Sequence, residues 1–167
     1  GETNLPGYTA GAWGTDCSAQ GSVNVALGET KTCTITNDDQ QAFITVVKVV
    51  TNDNGGSAAP DDFALTLEGN AVLSGVATPV NPGTYTAGET LVSGYTFEGY
   101  TSDCDSSGDT TVALGESKTC TLTNNDNQSY VIVDKTVVNN NGGSAAANDF
   151  LLTVDGNAVL DEVAYPV

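Results

Sequence analysis

Shifted by 87 residues, this chain lies on itself. Residues 1–80 align with 88–167 without a gap, and 45 of the 80 pairs are identical. Shared strings include Val-Ala-Leu-Gly-Glu at 25–29 and 112–116, and Gly-Asn-Ala-Val-Leu at 69–73 and 156–160. The segment Asn-Gly-Gly-Ser-Ala-Ala also recurs, at 54–59 and 141–146. A period of this length fixes the size of the folding unit before any fold is considered. The phase is set by the polar run Asn37-Asp38-Asp39-Gln40-Gln41, after which a unit begins near Phe43 and ends near Asn127. The chain therefore reads as the back half of one unit (1–42), a complete unit (43–127) and the front half of another (128–167). Such a phase predicts a slice of a longer array, or a subunit whose halves are completed by neighbours; a proteolytic fragment is the plain alternative.

Within one unit the residues favour strands. Phe43 to Val50 is rich in β-branched side chains. Further strands are expected at Phe63–Leu67, Val72–Val80, Gly83–Thr86, Tyr95–Thr101, Thr110–Leu114 and Lys118–Thr123. Turn signals separate them about every 8–12 residues, the pattern of a sandwich or barrel. No segment carries a helical period. The expectation is all-β: tandem antiparallel β-sandwich domains of the immunoglobulin-like kind.

A unit this small has a modest core, so a covalent brace would help it. Cys17 and Cys33 are 16 residues apart, as are Cys104 and Cys120. Matched spacing and an even count argue for two disulfides and an oxidising compartment. The rival, a four-cysteine zinc site, lacks any closely spaced cysteine pair.

Charge narrows the function. Four Lys+Arg stand against 21 Asp+Glu, a net charge of −17, and there is no His. Nucleic acid and anionic membrane surfaces are not expected partners. His-based nucleophilic dyads and triads are excluded. No apolar run reaches the ~18 residues of a membrane span.

Strand alternation makes one lysine conspicuous. Ile44, Val46, Lys48 and Val50 share a face, as do Val131, Val133, Lys135 and Val137. In the last strand Cys120, Leu122 and Asn124 share a face. A buried ammonium tends to shed its proton. A neutral amine beside a carboxamide, with a carboxyl group to shuttle protons, can exchange the amide, release ammonia and leave an isopeptide. The structural alternative is a lysine that snorkels to a sheet edge and an asparagine that caps a turn.

Gly83-Thr84-Tyr85-Thr86-Ala87-Gly88-Glu89 followed by Gly94-Tyr95 resembles the G-x-Y-x-x-x-E…G-Y signature of prealbumin-like surface domains. These are the B-type repeats of collagen adhesins and the isopeptide-forming pilin domains. Val-Val-Lys-Val-Val and Thr-Leu-Thr-Asn are similar to that family's first and last strands, and Glu2-Thr3-Asn4-Leu5-Pro6-Gly7-Tyr8 is a closer match still. The resemblance implies Lys48 as the linked lysine, Asn124 as its partner and Glu89 as the catalytic glutamate. Across the split units it implies Lys135, with Glu2 and Asn37. The run Asn124-Asn125-Asp126 leaves two adjacent carboxamides for the acceptor, and a disulfide pair is not typical of the pilin domains.

Other residues carry weaker expectations. Asp53, Asp61 and Asp62, and Asp103, Asp105 and Asp109, could hold calcium in acidic loops or simply form turns. No cofactor is expected unless these loops hold calcium. Asn127 heads an Asn-Gln-Ser glycosylation sequon. Trp13, opposite Tyr100 in the repeat, reads as a packing aromatic. Together these features predict a structural, non-enzymatic protein of the cell surface or exterior: a fibre or pilus-like filament whose partner is itself, as a head-to-tail homopolymer or a continuous array. The alternative is a secreted adhesin module for calcium, glycan or a host protein.

Overall fold

The computed structural model describes residues 1–167. Its regular structure is strand throughout, apart from two single 3-10 turns at Pro60–Asp62 and Ala147–Asp149. The N-terminal segment holds β1 (Tyr8–Ala10), β2 (Gly14–Thr15), β3 (Cys33–Thr34) and β4 (Asn37–Asp39). The middle holds β5 (Ala42–Thr51), β6 (Leu65–Leu67), β7 (Asn70–Val72), β8 (Ala77–Val80), β9 (Gly83–Glu89), β10 (Tyr95–Ser102), β11 (Asp109–Val112) and β12 (Ser117–Asp126). The C-terminal segment holds β13 (Tyr130–Ile132), β14 (Leu152–Val154), β15 (Asn157–Val159) and β16 (Ala164–Pro166).

The eight middle strands form two four-stranded sheets, ordered β10-β12-β5-β8 and β11-β9-β6-β7. All neighbours run antiparallel except β12 and β5, which pair in parallel from Ser117↔Phe43 to Asn125↔Thr51. The core lies between the sheets. Ala42, Ile44 and Val46 point inward from β5, and Cys120 and Leu122 from β12. They meet Leu65, Leu67, Ala87 and Val112 of the other sheet. This is the period of two expected of strands with one buried face.

Two details adjust the strand boundaries. The expected single strand Val72–Val80 is two strands in different sheets, because the turn at Leu73–Val76, with Gly75 at φ 75°, carries the chain from β7 beside β6 to β8 beside β5. Strand β10 bulges between Phe97 and Gly99. The extra residue turns Tyr100 to the same face as Phe97, and both rings pack on the core with centroids 4.9 Å apart.

All 16 buried residues lie between Ala42 and Asp126. The flanking segments nevertheless repeat the pairing of the middle strands, 87 residues displaced. Tyr8↔Asp39 of β1 and β4 matches Tyr95↔Asp126 of β10 and β12. Tyr130↔Pro166 of β13 and β16 matches Phe43↔Pro79 of β5 and β8, and Leu152↔Val159 matches Leu65↔Val72. What the flanks lack is cover. Val112 is 1% exposed but its counterpart Val25 is 57% exposed; Phe63 is 3% exposed but Phe150 is 43% exposed.

Both disulfides are formed, Cys17–Cys33 and Cys104–Cys120. The second ties the end of β10 to β12 behind a buried Cys120. Closing a 16-residue loop stabilises by about 3 kcal/mol in the chain-entropy model. Replacing Cys104 and Cys120 by Ser is expected to lower the urea-unfolding free energy of the middle domain by about that amount. The same change at Cys17 and Cys33, where nothing is buried, should leave that transition in place.

Candidate functional site

The parallel register of β5 and β12 decides which polar side chains meet inside the sandwich. Lys48 sits opposite Leu122, and Asn124 lies two residues further along the same inner face of β12. Lys48 is 4% exposed and Asn124 0% exposed. Glu89 reaches them from the end of β9, in the opposite sheet, where it pairs with Leu65. Three residues distant in sequence thus converge in one dry space.

Lys48 Nζ lies 2.8 Å from Glu89 Oε2. It also donates to Asn124 Oδ1 and, at 3.5 Å, to the Leu122 carbonyl. The Phe63 ring covers the amine, its centroid 4.4 Å away. Burial pulls Lys48 below the usual lysine range, against the hydrogen bond and charge of Glu89, which work the other way. Glu89 has no hydrogen-bond partner beyond this ion pair, and the amide nitrogen of Asn124 has none at all. An orphaned buried donor costs about 1–3 kcal/mol, so this arrangement is not a settled polar network. Chemically it sets a desolvated amine against a carboxamide, with a carboxylate in contact with the amine. Asn125, the adjacent carboxamide, faces away from the core on the strand's other side. Tyr100 is raised above the usual phenol range by burial, then by the Glu89 and Asp109 charges.

A second buried carboxylate, absent from the sequence expectations, closes the same end of the domain. Asp126 accepts from the backbone N–H of Asp53 at 2.9 Å, Asn54 at 2.9 Å and Gly56 at 2.6 Å. Gly56 is required there, since a Cβ would come within 2.7 Å of Asp126 Cβ. Burial pushes the Asp126 carboxyl up, but these three donors outweigh it and hold the group below the usual carboxylate range. Its trace in the sequence was Asp39, its partner 87 residues earlier, beside the equally repeated Asn-Gly-Gly loop. Phe63 and its counterpart Phe150 were likewise visible as a repeated pair.

The split-unit residues fall at the two ends. Asn37 donates to Glu2 at 3.4 Å in the N-terminal segment. Lys135 lies over the Phe150 ring at 4.7 Å in the C-terminal segment. The acidic loop residues do not gather; no three of the chain's carboxylates and thiols form a cluster able to hold a metal ion. Asp103 and Asp105 instead accept backbone N–H groups of Thr119, and of Ser107 and Asp109, while Asp62 accepts from Ala59. Asp53 and Asp61 are exposed in their own turns. Asn127 is exposed at the end of the domain, accepting from Thr96. Trp13 is half-buried beside Gly21. No helix is long and apolar enough to cross a membrane.

A family model described as a prealbumin-like fold domain matches residues 1–35 and 39–122, well over half of the chain. No curated protein and no solved structure matches it.

Asp126 gives the site a pH dependence. Its folded pKa is lowered, so between the folded and unfolded values the unfolded chain binds more protons. The stability it confers is full above the unfolded value, about 3.9, and is lost as pH falls through the folded value. Urea unfolding across this acidic range should show that loss. In Asp126→Asn the contribution from this group should be flat, with stability at neutral pH reduced.

Proposed function

The chain belongs to the family of prealbumin-like fold domains, and on that footing we propose that it is a structural surface module of the pilin and adhesin type, braced from within by a Lys48–Asn124 isopeptide bond. The observation that carries this reading is the buried contact of the Lys48 amine with Asn124 and Glu89, in which the Asn124 amide nitrogen has no acceptor. The chemistry is self-directed. The neutral amine attacks Asn124 Cγ; the Cγ–Nζ bond forms and the Cγ–Nδ2 bond breaks. Glu89 carries a proton from the attacking nitrogen to the departing one, which leaves as ammonia. Burial favours the neutral amine, and the Phe63 ring packs over it.

A structural role fits the remaining features. The disulfides suit an oxidising exterior. The charge of −17 keeps neighbouring copies apart in solution. The cluster faces the core rather than a cleft, so it has no access for an external substrate.

Intact mass of the reduced, denatured protein tests the bond. The expected loss is one ammonia, about 17 Da, for the Lys48–Asn124 link, with a branched Lys48–Asn124 peptide after digestion. Lys48→Arg and Glu89→Ala should both return the unmodified mass at this site. An unmodified wild-type mass would end the reading. The link spans 76 residues, so its loss in Glu89→Ala should lower the unfolding free energy by about 4–5 kcal/mol in the chain-entropy model.

A further inference from the structure

The middle sandwich can be divided along a single plane, between β12 and β5 in one sheet and between β9 and β6 in the other. The buried cluster straddles that plane. Lys48 lies on one side, and Glu89 and Asn124 on the other. The distance from amine to acceptor therefore depends on how β5 sits lengthwise against β12. A parallel ladder repeats evenly along the strands. A slip of two residues keeps every side chain on its own face, yet carries Lys48 about 7 Å from its place. Something beyond the ladder must hold the register at this end.

Two side chains on the Asn124 side reach across the plane there. The backbone register ends at Asn125↔Thr51. Asp126, the next residue of β12, continues it with its carboxylate, which takes the N–H groups of Asp53, Asn54 and Gly56 in the loop that leaves β5. The Asn54 amide donates back to the Asp126 carbonyl at 3.0 Å. Tyr95 stands opposite Asp126 on β10. Its hydroxyl donates to Asn52 Oδ1 at 2.6 Å and accepts from the Ala58 N–H at 2.8 Å. Its ring meets Phe63 at 88°, centroids 5.6 Å apart, and Phe63 is the ring that lies over Lys48. Gly56 fits between the two, where a Cβ would collide with the Tyr95 hydroxyl and with Asp126. At the 87-residue offset the same side chains recur: Tyr8 for Tyr95, Asp39 for Asp126, Asn139 for Asn52, Gly143 for Gly56 and Phe150 for Phe63.

We propose that Asp126 and Tyr95 are positioning residues for the Lys48–Asn124 reaction, pinning β5 lengthwise against β12 and holding Phe63 over the amine. The proposal rests on the isopeptide reading, in which the Cγ–Nζ bond forms, the Cγ–Nδ2 bond breaks and ammonia leaves. Neither residue bonds to the reacting groups. The partners of the Lys48 amine are Asn124, Glu89 and the Leu122 carbonyl. Asp126 and Tyr95 act instead through the loop after β5. Asp126 ties its start to the strand that carries Asn124. Tyr95 ties its middle and backs the ring at its end. A misplacement of about 1 Å can cost about a hundredfold in rate, so a tie this close to both reactants bears on the chemistry as well as on stability. The Cys104–Cys120 disulfide cannot do this, since β10 and β12 lie on the same side of the plane.

Full-length variants refolded from concentrated urea test it, with ammonia loss followed by intact mass against time and counted per folded molecule. Asp126→Asn should react about tenfold to a hundredfold more slowly than wild type. Tyr95→Phe keeps the ring and loses both hydroxyl bonds, so it should be slowed less; it carries the same test if Asp126→Asn does not fold. Cys104→Ser with Cys120→Ser is the control. It removes a brace without touching the loop, and its folded molecules should react at the wild-type rate. The second readout is the NMR shift of the Lys48 Cε protons, which the Phe63 ring displaces from those of Lys31 and Lys118. In both loop variants that displacement should shrink, whereas a loss of stability alone leaves it unchanged in the folded molecules. Wild-type rates in both loop variants, or equal slowing in the disulfide control, would overturn the positioning role and leave the bond standing. If wild type itself loses no ammonia, the bond fails, and the Lys48 shift decides the clamp. A smaller displacement in the loop variants upholds it, and an unchanged one overturns it.

Discussion

The parallel pairing of β5 with β12 is what makes the middle of this chain one domain. Every other strand contact in the two sheets joins neighbours on the same side of the plane, except that of β6 with β9. Remove these two pairings and the sandwich falls into halves that keep their own hydrogen bonds but have no inside. The flanking segments display that condition: their strands pair in the same register as the middle ones, yet none of their residues is buried. Hydrogen bonding alone sets local geometry, and burial between the sheets supplies most of the free energy that fixes it.

The same division sorts the covalent braces. Cys104 and Cys120 lie on one side of the plane, so their disulfide holds β10 to β12 and does nothing to keep the halves together. Lys48 and Asn124 lie on opposite sides and touch across it. A bond there constrains what the disulfide leaves free. The proposed bond and the disulfide would therefore close different loops, and the buried lysine sits where a limited core most needs closure.

Much of this was legible in the sequence. Short strands between turn signals gave the all-β class, and strand alternation put Lys48 and Asn124 on inward faces before any fold was drawn. Alternation could not reveal that β5 and β12 run parallel, because parity is the same for either direction. It could not bring Glu89 across from the other sheet either; that came from resemblance to a family motif. The single expected strand at Val72–Val80 is broken by Gly75, whose left-handed backbone changes sheets, a choice set by tertiary packing rather than by local propensity. The acidic loops admitted either role because carboxylates that cap backbone N–H groups and carboxylates that bind cations draw on the same residues. The strongest of the capping groups, Asp126, stood unnoticed at the end of a polar run whose inward parity continued that of Asn124.

Neighbouring parallel strands entered and left from opposite ends have a mechanical meaning. A pull along the chain axis acts on Ala42 and Asp126, and so tries to slide β5 lengthwise past β12. In that direction the hydrogen bonds from Ser117↔Phe43 to Asn125↔Thr51 share the load together rather than opening one at a time like a zipper. Tension is confined to the two strands that carry the chain through the domain, and the outer strands of both sheets are spectators. Joined end to end, such units would form a tether that resists extension with hydrogen bonds loaded in parallel, and a Lys48–Asn124 bond would sit on the line along which the force runs.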